Sequence, residues 1–297
     1  MDIEIIARKF YDYSLFMRGY SKGTIDRYRK IIDAYRVHMK ITEIEQVTEM
    51  NVRQMFMYGR IERKWCASTF IAYYMSLRVF FAWCRKEGYL KIDPLKDFEL
   101  PKMEKRLPRR ITKQDALKLL EIAYNYPYAW KFLRYRNQAI FAMFLFAGLR
   151  KNELLNLKYT DVDLENMTIF VRQGKGNKDR IVPMSYTLAD ILKKYIAERK
   201  RLNKTCPQFF ASLNHNLGYT NNGLKRLVEQ MRKASGIVFT IHKLRHTFAT
   251  LMLEGGCDIY SLSKMMGHSD IKTTTIYLSA SVELMRSQIT KHPLNDL

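Results

Sequence analysis

The sequence predicts a mainly α fold with a small β-sheet confined to its C-terminal part, divided into two domains. Three observations carry this expectation. Apolar residues recur at helical spacing through most of the chain. A run rich in prolines and basic residues, Pro101 to Arg110, interrupts them a third of the way along. Beyond it, one stretch switches to the two-residue alternation of strands.

Residues 1–100 read as a small helical bundle. Ile5, Ile6, Phe10, Tyr13 and Met17 form one apolar stripe. Ser21 can cap a second helix, whose stripe is Ile25, Tyr28, Ile31, Ile32 and Tyr35. A third spans Ser68 to Lys86 with Ile71, Met75, Val79, Phe80 and Trp83 inward; Gly88 closes it and Pro94 follows. Residues 101–110, PKMEKRLPRR, hold two prolines, five basic residues and almost nothing to bury, which is the signature of a linker. Such residues are often only solvated, but they also suit a strap along a phosphate backbone. Thr112, with Asp115 three residues on, starts a new helix. Ala139 to Leu149 is the most apolar segment, too short to span a bilayer, and reads as a buried core helix. Met167 to Arg172 alternates around β-formers, and Arg180 to Met184 can pair with it across a turn at Gly174 to Lys178. Helices are expected at Leu188–Arg201, Asn222–Ala234, His242–Glu254 and Ile259–Met266, with a last one around Ser281–Thr290. The domains are therefore expected at 1–100 and 111–297, joined by the linker 101–110.

The 51 Lys and Arg against 29 Asp and Glu leave a net charge of +22. A surplus of that size costs self-repulsion and usually has an anionic partner. DNA, RNA and an acidic membrane all qualify; an ordinary basic protein kept soluble by its charge is the alternative. Cys66, Cys84, Cys206 and Cys257 form no CxxC or CxH pair, so no zinc site is expected, and they read as reduced, mostly buried thiols. The N-terminus lacks the basic and apolar regions of a signal peptide, and the expected compartment is the cytoplasm.

Four places can carry chemistry. His242 and Arg245, three residues apart near a helix start, share a face beside free backbone N–H groups. His246 lies about 100° round the helix from Arg245 and is not grouped with them. Arg150 follows the small pair Ala147-Gly148 at the end of an apolar helix, where a guanidinium can be aimed from a rigid base at two phosphate oxygens; Glu153 can hold it. Lys175 sits at the tip of the glycine hairpin, able to give a proton to a leaving oxygen, with Lys178 as a competitor. There is no Walker A loop, so ATP binding is not supported. His268 and Tyr277 lie nine residues apart, and the Thr run between them favours an extended or capped segment over a long helix. A tyrosine hydroxyl can attack phosphorus if neighbouring groups neutralise the phosphate. Each feature alone has a bland reading: a surface arginine, a solvated lysine, a satisfied histidine, a core tyrosine.

Taken together these pieces resemble the tyrosine recombinase, or phage integrase-like, family, especially its short Xer-type members. The matching residues are Arg150 in AGLRKNEL, Lys175 in GKGNKDR, His242 and Arg245 in HKLRH, His268 in MGHSD and Tyr277 in TTTIY. The N-terminal half, with SKGTIDRY and SLRVFFAWCRKEGYLKIDP, is similar to the family's SAM-like core-binding domain. The resemblance implies a C-shaped clamp on double-stranded DNA, formed by a helical core-binding domain and a mixed α/β catalytic domain. It implies site-specific DNA recombination or integration through a 3′-phosphotyrosyl link at Tyr277, with no metal or nucleotide cofactor. By the same resemblance Arg150 and Arg245 stabilise the transition state, Lys175 protonates the 5′ oxygen, His242 helps move the tyrosine proton, and His268 bonds the phosphate. A homotetramer on two DNA sites is implied, with the tail after Tyr277 packing on a neighbour, and a second recombinase or accessory protein is an open possibility. The rivals are a type IB topoisomerase-like enzyme and a DNA-binding protein of the same fold that does not cut. No membrane partner is expected.

Overall fold

The computed structural model describes residues 1–102, 110–172, 179–268, 270, 272–275 and 277. The chain divides into two compact units, Met1–Lys105 and Arg106–Leu297. The hairpin turn with Lys175, most of the linker, the helix expected around Ser281 and the tail lie outside the described residues.

The first unit is a helical bundle. Helix α1 (Ile3–Asp12) is capped by Asp2 and continues as one π-helical turn, Tyr13–Met17. Helix α2 (Lys22–His38) starts at Ser21, whose side chain accepts from the Thr24 N–H. It buries the five residues of its expected stripe, Ile25, Tyr28, Ile31, Ile32 and Tyr35. Helix α3 (Glu49–Ile61) follows a Thr48/Asn51 capping box. Asn51 also accepts a 2.6 Å hydrogen bond from the buried Tyr35 hydroxyl, which ties the start of α3 to α2. Helix α4 (Ala67–Lys86) ends where Gly88, at φ +79°, turns the chain back.

Two stripes differ from the expectation. In α1 the buried residues are Ile3, Ile6, Ala7, Phe10 and Tyr11, while Ile5 and Met17 are exposed. Ile5 falls outside the i, i+3, i+4, i+7 stripe that Ile3, Ile6, Ala7 and Phe10 set, and the π-helical turn past Asp12 shifts the phase and carries Met17 off the core. In α4 the core side carries Phe70, Tyr74, Leu77, Phe80, Phe81 and Trp83, while Met75 is exposed and Ile71 and Val79 are half-buried. Apolar residues stand almost all round that helix, so its periodicity leaves the phase open.

The second unit is built on α6. Helix α5 (Lys113–Asn125) is capped by Thr112, which accepts from the Asp115 N–H. Helix α6 (Lys131–Phe146) packs against α5 and is enclosed from Ala139 to Leu145. It stops at Phe146, before the expected Leu149, because Gly148 takes φ +59°. Helix α7 (Lys151–Asn156) begins directly at Arg150. A three-stranded antiparallel sheet follows: β1 (Val162–Asp163), β2 (Thr168–Val171) and β3 (Arg180–Pro183), in the order β1-β2-β3, with Ile169 opposite Val182. Helix α8 (Tyr186–Arg201) covers α6; α9 (Asn221–Ser235) lies on α5, and α10 (Ile241–Glu254) packs on α6. Helix α11 (Ile259–Met266) touches both α10 and β3, and the short α12 (Lys272–Thr275) leads to Tyr277. The Thr run is thus a single helical turn, neither extended nor a long helix.

All four cysteines are free thiols; Cys84 and Cys206 are buried, whereas Cys66 caps α4 and is exposed, unlike its expected burial. Among the described residues no helix is long and apolar enough to cross a membrane.

Candidate active site

The second unit gathers cations on one carboxylate. Helix α6 brings the chain to the Gly148 turn, and the following helix presents Arg150 and, one turn on, Glu153. Glu153 Oε2 accepts from the Arg150 backbone N–H at 2.7 Å, and Oε1 accepts from the Arg150 guanidinium at 2.7 Å. Arg180, at the start of β3, reaches the same carboxylate with two nitrogens, each at 2.8 Å, and donates from Nε to the Met265 carbonyl at 2.7 Å. Arg245 on α10 is the third cation, 3.9 Å from Glu153 Oε2. It donates to the carbonyls of Gly148 and Met266. Three guanidiniums thus surround one carboxylate, two more positive charges than Glu153 itself balances.

Burial sharpens these charges. Burial alone would raise the Glu153 carboxyl, but hydrogen bonds and charge from Arg180, with Arg150 behind them, outweigh it and hold the group down at about 2. Burial, then the Arg150 charge, push the Arg245 guanidinium down to about 9, against the pull of Glu153; it stays charged at neutral pH. Arg245 and Arg180 are enclosed, while the Arg150 side chain remains 23% exposed. An incoming anion therefore meets Arg150 at the surface of the cluster.

The nucleophile candidate lies beside this cluster. Tyr277 is 3% exposed, and its hydroxyl is 2.8 Å from Nδ1 of His246. Burial raises its pKa, and the charges of Arg245 and Arg150 oppose the rise. The same two arginines lower His242, after burial. Both guanidiniums are therefore felt at His242 and at Tyr277, so these residues share one electrostatic neighbourhood. His268 bridges the parts: its Nε2 is 3.3 Å from Arg245, and its Nδ1 is 2.8 Å from Thr274 Oγ1 on α12.

Of the residues singled out in the sequence, Arg150, His242, Arg245, His268 and Tyr277 are brought together, and Lys175 lies outside the described residues. The exclusion of His246 does not hold. Its angle was measured from Arg245, but His246 is also four residues beyond His242, roughly 40° away on the helix. The two histidine rings meet edge-on at 4.8 Å. Arg180 was also missed; strand alternation places it on the same side of β3 as the buried Val182, an unusual position for a charge and a readable signal. Among the described residues no group of histidines, cysteines and carboxylates has the arrangement of a metal site.

Residues 109–283 match the phage integrase family, and residues 7–89 match the phage integrase N-terminal SAM-like domain. Tyrosine recombinase XerD of Listeria monocytogenes serovar 1/2a is 34% identical over 286 residues, covering 92% of this chain and 93% of that protein. The fold is shared with XerH recombinase bound to its difH substrate (TM-score 0.72, 22% identity, 90% of this chain and 79% of that one). It is shared equally with a lambda integrase tetramer bound to a Holliday junction (TM-score 0.72, 20% identity, 93% of this chain and 77% of that one).

Proposed function

The chain belongs to the phage integrase family of tyrosine recombinases, and on that premise we propose that Tyr277 is the nucleophile with which this site-specific recombinase cuts and rejoins DNA. The observation that carries the assignment is the buried Tyr277 hydroxyl held next to a cluster whose arginine charges reach it. Its oxygen attacks the scissile phosphorus and forms a 3′-phosphotyrosyl link, releasing a 5′ hydroxyl. The link conserves the phosphoester bond energy, so religation needs no ATP.

The surplus charge around Glu153 suits this step. A phosphodiester carries one negative charge and the pentacoordinate transition state carries two, matching the two cations beyond the one that Glu153 itself balances. Arg150, partly open, engages the phosphate oxygens bidentately, and Arg245 meets the charge that develops. His268, pinned between Arg245 and Thr274, offers the phosphate a hydrogen bond. His242, exposed at the start of α10 and edge-on to His246, takes part in moving the tyrosine proton. Lys175 supplies the proton for the departing 5′ oxygen; this role rests on the family resemblance. These fixed cations do the charge stabilisation for which other phosphoryl transferases use a metal.

In this reading the unit Met1–Lys105 is the core-binding domain and the unit from Arg106 onward is catalytic, joined by the basic segment 101–110, with double-stranded DNA as the partner. The net charge of +22 supports a polyanionic partner. A homotetramer on two DNA sites is the proposed working assembly, as in the lambda integrase complex, and the proposed compartment is the cytoplasm. The same chemistry serves Xer-like resolution of chromosomes or plasmids and integration or excision of a mobile element.

The test uses a nicked suicide duplex built on the site recovered by selecting random-sequence DNA with the full-length protein. Wild-type protein should become covalently attached. Tyr277→Phe should bind the duplex equally and form no adduct; an adduct from that variant overturns the assignment. Exchanged strands rather than relaxed circles separate this reading from a topoisomerase.

A further inference from the structure

Resting on the reading of Tyr277 as nucleophile, we propose that His246 is a further catalytic residue: its Nδ1 holds the resting hydroxyl and takes the phenolic proton as the phosphotyrosyl bond forms. The distance of 2.8 Å is that of a direct hydrogen bond, and among the described residues His246 is the side chain at that oxygen. His242 packs edge-on against the His246 ring, 4.8 Å between centroids.

The environment leaves the His246 ring uncharged before DNA arrives. Burial, then the charges of His242 and Arg245, push His246 down to about 4, so at neutral pH its ring is uncharged. Burial keeps the Tyr277 phenol protonated. In the tautomer with its proton on Nε2, which the proposal assigns to His246, the phenol donates and Nδ1 accepts. A scissile phosphate docked among the arginines brings negative charge next to Arg245, one of the two charges that suppress protonation of His246. Substrate binding thus makes His246 a stronger base at the moment the proton must leave.

The segment that carries the tyrosine is fastened at two points. Thr274 is fully buried and joined through His268 to Arg245, and the Tyr277 N–H donates to the Thr274 carbonyl at 3.0 Å. His246 fixes the other end. The same arginine that meets the phosphate therefore sets the position of the attacking oxygen.

The step balances as follows. The Tyr277 O–H bond breaks and its proton passes to Nδ1 of His246; the Oη–P bond forms; the P–O5′ bond breaks, and the 5′ oxygen takes a proton from an acid, the role given above to Lys175. Religation returns both protons.

Single-turnover adduct formation by the full-length protein tests this on two suicide duplexes. One has an ordinary scissile phosphodiester; the other has sulfur in place of the bridging 5′ oxygen, so that the leaving thiolate needs no acid. His246→Ala should lower the rate by on the order of 10²-fold or more on both. His246→Asn places an oxygen near the position of Nδ1, so it should recover the melting temperature and DNA affinity without recovering the rate. Lys175→Ala should lose rate on the phosphodiester and regain it on the sulfur substrate. The inference is overturned if His246→Ala stays within about threefold of wild type, if His246→Asn cleaves at the wild-type rate, or if sulfur rescues His246→Ala. Failure of Tyr277 itself is separable, because it would appear as adduct formation by Tyr277→Phe.

Discussion

Removing the negative charge of Glu153 should destabilise the catalytic unit and turn its arginine cluster into a stronger anion trap. In Glu153→Gln the oxygen that remains can still accept from one arginine, but the new NH2 faces donors on the others, and three buried or half-buried cations lose their counter-charge. The carboxyl falls from its ordinary 4.5 to about 2 on folding. At about 1.4 kcal/mol per pH unit this displacement corresponds to about 3 kcal/mol. Removing one partner from a buried ion network costs about 3–5 kcal/mol, in the same range. For a unit of this size that lowers the melting temperature by roughly 6–12 °C. The sign with pH follows from the lowered carboxyl. Its stabilisation is complete above about 4.5 and is lost as pH falls through about 2, so wild type and variant should converge in acid. Urea melts from pH 7 down to pH 3, with and without sulfate, measure both effects. Sulfate should stabilise the variant more than the wild type, because the vacated negative charge is what the anion replaces. A variant within about 1 kcal/mol of wild type at pH 7, or a gap that stays constant into acid, would refute the idea that one carboxylate organises the three arginines.

Other perturbations separate folding from chemistry. Arg245→Lys cannot reach both the Gly148 and Met266 carbonyls with one ammonium, and single-turnover cleavage should fall by about 10²–10³ while DNA affinity changes little. Gly148→Ala forces a side chain into φ +59° and against the Phe248 ring; chemical denaturation should show a loss of about 1–3 kcal/mol. His242 and His246 are both lowered in the folded chain, so the unfolded chain binds protons first. Stability should be complete above pH 6.5 and decline as pH falls towards 4, and His246→Asn should flatten that part of the profile. Cleavage should persist in EDTA, measured as adduct yield on the suicide duplex.

How much of this was legible depended on how each element encodes its inward face. The second helix was read completely because Ile25, Tyr28, Ile31, Ile32 and Tyr35 are its only apolar stripe. The fourth resisted because apolar residues surround it, and the first because a π-helical turn breaks its register. Helix α3 carries a capping signal at Thr48, but Met50 and Met57 face outward and blur its core side. In the site, Arg150, His242, Arg245, His268 and Tyr277 were found because they sit in recognisable local contexts. The contribution of Arg180 is long-range, joining β3 to the α7 carboxylate and the end of α11, and only its strand parity hinted at it. His246 stands about 100° from Arg245 but only about 40° from His242, and the second angle is the one that places it in the site.

The central claim concerns one oxygen atom, and the most direct measurement is the identity of the covalent link. Wild-type protein is trapped on the nicked suicide duplex, digested, and the DNA-bearing peptide sequenced by mass spectrometry. The account predicts that the modified residue is Tyr277, joined to the 3′ end of the broken strand with a free 5′ hydroxyl opposite. Attachment through any other residue, or to the 5′ end, contradicts it.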